Sequence, residues 1–194
     1  MKKGISIWSF PGEMKIADCM KMAKARGFDG IELALNETGE LSLESNAEEI
    51  TVYRKLAGEI GIEISSLATG LFWNYSLTSG NEAIREKAKA IVKKQLDFGN
   101  LLGVDTILVV PGAVGVDFIP GAEVVEYDVA YDRALAAIKE LAPYAESKKV
   151  AIGLENVWNK FLLSPLEMRD FIDRVGSDYV GAYLDVGNVI YNGY

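Results

Sequence analysis

Two acidic side chains, Glu155 and Asp185, follow short apolar stretches in the last third of the sequence. Alternate residues of a strand point to opposite faces, which puts each carboxylate on the polar side of its stretch. Paired carboxylate oxygens suit Mg²⁺ or Mn²⁺, and a carboxylate can also move a proton to or from carbon. The pair therefore predicts a divalent metal site, with two solvated acids at strand ends as the alternative.

Further polar and aromatic residues follow other apolar stretches. Glu32 could hydrogen-bond a substrate, or it could form a salt bridge with a neighbouring strand. Trp8 and Trp73 could line a binding site, and core packing is the alternative for both rings. The amides of Asn159 and Asn188 could bind substrate hydroxyls or could cap loops and turns.

The residue types that the chain lacks restrict its chemistry further. With no histidine, it cannot form a Ser-His-Asp triad or an HExxH zinc site. Its single cysteine, Cys19, cannot make an internal disulfide, which is typical of a reducing compartment. No GxGxxG, GxxxxGK[ST] or GxSxG motif occurs, so nucleotide binding and acyl transfer have no support.

Strand-like runs alternate with longer amphipathic stretches along the whole chain, without a low-complexity linker. The predicted strands are Gly4–Phe10, Gly30–Leu35, Ile62–Thr69, Thr106–Gly112, Val150–Val157 and Val180–Gly187. The predicted helices are Met14–Arg26, Asn46–Ile60, Asn81–Leu102, Tyr127–Lys148 and Pro165–Val175, with glycine stops at Gly27, Gly61, Gly103 and Gly176. This alternation requires parallel strands joined by right-handed crossovers, so the class is α/β.

The faces of the last two strands distinguish a barrel from an open sheet. One face is apolar, with Ile152 and Leu154 on the fifth strand, and the opposite face carries Gly153 and Glu155. An open doubly wound sheet would be apolar on both faces, because helices cover both. A small or polar face that ends in a carboxylate is typical of the inner wall of a (β/α)₈ TIM barrel.

The length predicts an incomplete barrel. Six units in 194 residues are about 32 residues each, whereas eight such units need about 250. We therefore expect a single partial domain over residues 1–194 that ends just after a strand, with no terminal helix and the last two βα units missing. The unpaired edges of the first and sixth strands predict a homo-oligomer, or a fragment of a longer protein.

The charge and hydropathy of the sequence make nucleic acid and membranes unfavourable partners. The 20 basic and 28 acidic side chains give a net charge of −8, which repels nucleic acid and anionic lipid. No apolar run approaches the roughly 18 residues of a membrane span, and the amino terminus lacks a signal-peptide core. We therefore expect a cytoplasmic protein that binds neither nucleic acid nor membrane.

Three segments carry a family resemblance: GFDGIEL at 27–33, GLENVWN at 153–159 and YLDVGN at 183–188. They resemble the xylose-isomerase-like TIM barrels, specifically the sugar phosphate isomerase/epimerase group. The resemblance implies that Glu155 and Asp185 are metal ligands and that Glu155 is one catalytic base. The family's histidine and final glutamate ligands have no counterpart here, so we expect Mn²⁺ or Mg²⁺ to be weakly bound or absent.

The resemblance implies a metal-dependent isomerase or epimerase that acts on a small sugar or sugar phosphate through an enediolate. This chain could be an inactive fragment of such an enzyme. One alternative is a non-catalytic partial-barrel scaffold that pairs with another chain. Another is a two-carboxylate glycosidase that uses Glu155 and Glu32.

Overall fold

Six parallel strands form one sheet in which each strand pairs with the next along the chain, in a computed structural model that describes residues 1–194. The strands are β1 (Gly4–Ser6), β2 (Gly30–Leu35), β3 (Glu63–Thr69), β4 (Thr106–Val109), β5 (Ala151–Glu155) and β6 (Val180–Tyr183). Each connection carries a helix, so the prediction of an α/β fold of TIM-barrel type with about six βα units is confirmed.

The helices are α1 (Ile16–Ala25), α2 (Ala47–Ile60), α3 (Glu82–Leu102), α4 (Tyr127–Lys148), α5 (Pro165–Val175) and α6 (Val186–Tyr191). Asn46 and Ser164 form capping boxes at the starts of α2 and α5. Gly61 and Gly176 end the same two helices in the left-handed conformation that glycine adopts without strain. None of the six helices is long and apolar enough to cross a membrane.

Most of the predicted strands are too long. β1 ends at Ser6 instead of Phe10, because the Ser6 hydroxyl accepts a hydrogen bond from the Trp8 amide and starts a short 3₁₀ helix at Ile7–Ser9. β6 ends at Tyr183 instead of Gly187, because the Asp185 side chain caps α6. The prediction that no helix follows the last strand was therefore wrong. β4 and β5 are likewise shorter than predicted.

The sheet curves around a concave inner face. The Tyr183 hydroxyl on β6 donates a hydrogen bond to Glu32 on β2, four strands away in the sheet. Two side chains on such distant strands can meet only if the sheet bends toward them. The outer face packs against helices α1 to α5, and the apolar residues between them form one core of 45 buried side chains.

Candidate active site

The carboxyl ends of β5 and β6 are joined by a side chain that hydrogen-bonds backbone. The amide of Asn156, directly after β5, accepts a hydrogen bond from the Asp185 N–H at 3.0 Å and donates one to the Asp185 carbonyl at 2.9 Å. The Asn188 amide then donates to the Asn156 carbonyl at 2.8 Å. These bonds fix the position of Asp185 relative to Glu155, the last residue of β5.

Glu155 lies where its negative charge is penalised. The pKa of its carboxyl is raised to about 7, mainly by burial and then by the nearby negative charges of Asp185 and Glu32. The charges of Asp185 and Glu32 therefore reach Glu155 at the carboxyl-end mouth of the concave face. A carboxyl group with a pKa near neutrality can both accept and donate a proton under physiological conditions.

Glu32 is held by two hydroxyl groups. One of its oxygens accepts hydrogen bonds from Tyr183 at 2.5 Å and from Ser66 at 2.8 Å, and these hydroxyls lie 2.9 Å apart. Burial and the bond to Glu32 raise the pKa of the Tyr183 phenol. Gly153 makes room for this ring, because a Cβ at Gly153 would lie 2.8 Å from Tyr183 Cδ2.

The carboxylates suit a divalent cation, but their number is small. One oxygen of Asp185 accepts the Asn188 backbone N–H at 2.8 Å, and the other accepts no hydrogen bond from the chain. Glu155 and Asp185 therefore offer oxygen ligands whose mutual repulsion a cation would offset. No group of three or more His, Cys, Asp or Glu side chains is arranged to hold a metal ion.

The other predicted site residues differ in where they point. Trp8 is exposed after β1, and Trp73, after β3, packs against Phe118. Asn159 is buried, donates to the Gly112 carbonyl at 2.5 Å and accepts the Phe161 N–H at 3.1 Å. The buried Asn188 amide also donates to backbone. The Asn159 contacts are those of a loop residue, the alternative given by the sequence, whereas Asn188 lies within α6.

Sequence reasoning missed the partners of Glu32. The alternation of side chains puts Tyr183 on the inner face of β6, but nothing in the local sequence indicates that its hydroxyl reaches β2. Ser66 directly follows another serine in β3, so the only signal that could have identified it is that it shares a strand face with the apolar Ile64 and Ala68.

A curved sheet in which each parallel strand pairs with the next along the chain, with polar residues at the carboxyl ends, is typical of the TIM-barrel class of proteins. Within this class, the sequence profile of the xylose isomerase-like TIM barrels matches residues 20–194. The chain therefore belongs to the xylose isomerase-like TIM barrel family.

Curated relatives carry epimerase names. The chain is 26% identical over 178 residues to an Escherichia coli (strain K12) protein with the provisional name L-ribulose-5-phosphate 3-epimerase SgbU. It is also 26% identical over 174 residues to 2-epi-5-epi-valiolone 7-phosphate 2-epimerase from Actinoplanes sp.. The matches cover 87% and 90% of this chain but only 57% and 58% of the respective relatives.

A solved structure shares the fold. It is D-psicose 3-epimerase with D-tagatose from Clostridium cellulolyticum H10, which superposes with a TM-score of 0.83 at 23% identity. The match covers 98% of this chain and 65% of that structure. The chain thus spans about three fifths of the length of its relatives.

Proposed function

We propose that this chain carries the proton-transfer residues of a sugar isomerase or epimerase that acts on a sugar or sugar phosphate. The observation that carries this proposal is the burial of Glu155 beside Asp185 and Glu32, with a pKa near 7. The epimerase names of the curated relatives support the same reaction class.

Glu155 is the proposed base. Its carboxylate takes a proton from the carbon next to the substrate carbonyl, and the electron pair of that C–H bond forms the carbon–carbon double bond of an enediolate. Returning the proton to the neighbouring carbon, while the proton of the adjacent hydroxyl moves to the former carbonyl oxygen, makes the hydroxyl carbon the new carbonyl and gives isomerisation. Returning it to the same carbon from the opposite face gives epimerisation, for which Glu32, on the distant strand β2, is the candidate donor on this chain.

Glu155 and Asp185 would hold Mn²⁺ or Mg²⁺ through their carboxylate oxygens. When bound, such a cation supplies Lewis-acid stabilisation of the negative charge on the enediolate oxygens. Asn156 contributes by keeping the two strand ends in register, since its amide bonds both backbone groups of Asp185.

Glu32 is also the proposed acceptor for a substrate hydroxyl. Ser66 and Tyr183 occupy one of its carboxylate oxygens and thereby fix the direction of the other. We propose Trp8 and Trp73 as aromatic walls of the same site. Asn159 and Asn188 stay candidates for substrate contact, although both amides already donate to backbone carbonyls.

The test is solvent exchange. The protein is incubated in D₂O with Mn²⁺ and either L-ribulose 5-phosphate or D-fructose, and deuterium at the carbon beside the carbonyl is measured by NMR. We expect incorporation with the unmodified chain and at least a hundredfold slower incorporation with Glu155→Gln, in line with the typical contribution of a general base.

Glu63→Gln is the matched control, because Glu63 is an exposed carboxylate at the opposite, amino end of β3. It should leave the exchange rate unchanged. Equal exchange in the Glu155→Gln variant and the unmodified chain would show that another group is the base.

A further inference from the structure

The pairing between β3 and β4 is the shortest in the sheet. Leu67 and Ile107 are the only register partners of these two strands, whereas β2 and β3 share six pairs and β4 and β5 share four. The sheet therefore has a seam after its third strand, with a β1–β3 half on one side and a β4–β6 half on the other. Because few ladder bonds cross this seam, the angle between the halves depends on other contacts.

One buried side chain bridges the seam from the outer face. Gln95 lies on α3, which packs against both β3 and β4. Its side-chain amide donates one hydrogen bond to the Leu67 carbonyl on β3 and another to the Leu108 carbonyl on β4, each at 3.2 Å. The two hydrogens of the amide group are thus used one for each half of the sheet.

These two donated bonds, rather than packing, explain an amide at this position. Gln95 is completely buried, on a helix face whose other buried residues include Ile91 and Leu96. Its carbonyl oxygen Oε1 accepts no hydrogen bond from the chain. A buried acceptor without a donor costs stability, which an apolar side chain of similar size would avoid. An apolar side chain, however, supplies no bond to either strand.

The proposed reacting groups lie on opposite sides of the seam. Glu32 and Ser66 belong to the β1–β3 half. Glu155 and Tyr183 belong to the β4–β6 half. The Tyr183 hydroxyl crosses the inner face to the Glu32 carboxylate and lies 2.9 Å from the Ser66 hydroxyl. Gln95 on the outer face and Tyr183 on the inner face therefore hold the same two halves from opposite sides.

We propose that Gln95 is a positioning residue for epimerisation, because it fixes the angle between the two halves and thereby the separation of Glu155 and Glu32. This inference rests on the proposed function, in which Glu155 removes a proton from carbon and Glu32 delivers one to the opposite face of that carbon. Proton removal needs Glu155 alone, whereas inversion needs both groups at the correct separation. A misplacement of about 1 Å can slow a reaction about a hundredfold.

The ratio of inversion to exchange tests this role. The chain is incubated with D-fructose and Mn²⁺ in D₂O, and NMR measures deuterium in the recovered fructose and formation of its epimer. Gln95→Met keeps the approximate volume of the side chain and removes both donors. We expect it to lower the rate of epimer formation about tenfold and to leave deuterium incorporation within about twofold of the unmodified chain.

Leu96→Met is the matched control, because it places the same side chain at a neighbouring, fully buried position of α3 that donates no side-chain hydrogen bond. It should leave the ratio unchanged. An unchanged ratio in Gln95→Met would overturn the proposal, and so would an equal fall in both rates, since a loss of folded protein slows both. If Gln95→Met does not fold, Gln95→Asn carries the same test, because its amide is one methylene shorter and cannot span both carbonyls.

A measurement without substrate separates this inference from the proposed function. The chain is labelled with ¹³C at the phenol carbon of tyrosine, and the Tyr183 signal is assigned by its absence in Tyr183→Phe. This signal reports the hydrogen bond of the hydroxyl, so Gln95→Met should move it and Leu96→Met should not. A moved signal in a chain without deuterium incorporation would retain the Gln95 bridge and reject the isomerase. An unmoved signal in a chain that epimerises fructose would reject the bridge and retain the enzyme.

Discussion

At the scale of single residues, the ionisation of Glu155 is the property that most directly controls the proposed chemistry. Burial is the main cause of its high pKa, followed by the charges of Asp185 and Glu32. We expect its carboxyl to titrate with a midpoint near 7 in carboxyl-detected NMR without added metal. Asp185→Asn should lower that midpoint, because it removes the larger of the two charge effects. An unchanged midpoint would contradict the proximity of the two groups.

The same group links stability to pH. Its pKa is about 7 in the folded chain and 4.5 in its ordinary state, so its contribution to stability is full below pH 4.5 and is lost as pH rises through 7. We therefore expect Glu155→Gln, which stays neutral, to be more stable than the unmodified chain at pH 8 by about 2 kcal/mol after allowance for partial solvent access. Urea unfolding at pH 8 and at pH 4.5 measures this difference, which should vanish at the lower pH.

Tyr183 is the predicted positioning residue for Glu32. Tyr183→Phe removes one hydroxyl from the Glu32 cluster and should cost about 1 kcal/mol of stability, the usual net value of a hydrogen bond. Because Glu32 then loses a fixed direction, we expect KM for the sugar to rise severalfold while kcat changes less. Tyr179→Phe is the control, since Tyr179 lies just before β6 and its hydroxyl makes no hydrogen bond within the chain. A loss in kcat alone would assign Tyr183 a different role.

A site residue could be predicted when its signal lies in the nearby sequence, and could not when its role depends on residues that are far away in the sequence. Glu155 and Asp185 could be singled out as candidates because a carboxylate at the end of an apolar stretch is a local signal. The direction in which an amide side chain points depends on residues that are distant in the sequence. The Asn159 side chain turns into the loops after β4 and β5 and hydrogen-bonds backbone groups in both loops. Residue type alone could not distinguish that arrangement from a contact with substrate.

At the scale of elements, the glycines of the inner wall differ in how closely other side chains pack against them. Gly153 on β5 pairs in register with Gly181 on β6, but only Gly153 lies against a side chain, the ring of Tyr183. Gly153→Ala should therefore lower the free energy of unfolding by about 1–3 kcal/mol through overpacking. Gly181→Ala is a matched control, because nothing lies within 4 Å of its added Cβ. Equal thermal shifts for the two variants would contradict this packing.

The element boundaries show where sequence patterns fail. The alternation of apolar residues continues past Tyr183 through Leu184 and Val186, which extended the predicted strand to Gly187. A hydrogen bond from the Asn188 N–H to the Asp185 carboxylate starts α6 instead. Helix α5, which has a Ser164 cap and Pro165 in its first turn, was predicted with both ends as the structure has them.

At the scale of the whole molecule, the outer face of β6 is open. A cavity of about 280 Å³ lies there between β6 and α5, lined by apolar side chains that include Met168, Ile172 and Leu184. Leu184 is largely exposed. We expect this chain in isolation to self-associate with increasing concentration, and Leu184→Asp to shift it toward the monomer in sedimentation velocity. Self-association that is insensitive to Leu184→Asp would place the contact elsewhere.

The overall class was predictable because the alternation of strands and helices repeats six times and parallel strands require such crossovers. The curvature of the sheet was inferred from the polar inner face of β5 and β6. Contacts across the concave face, such as that between Tyr183 and Glu32, depend on the register of every intervening strand and could not be read from any one segment.

The bond between Tyr183 and Glu32 also bears on biosynthesis. It joins residues 151 positions apart, so Glu32 has no phenol partner until the sixth strand has left the ribosome. Translation that pauses before Tyr183 leaves a nascent chain in which Ser66 is the one hydroxyl partner of Glu32. The inner wall is therefore completed late, after most of the outer layer has had time to fold.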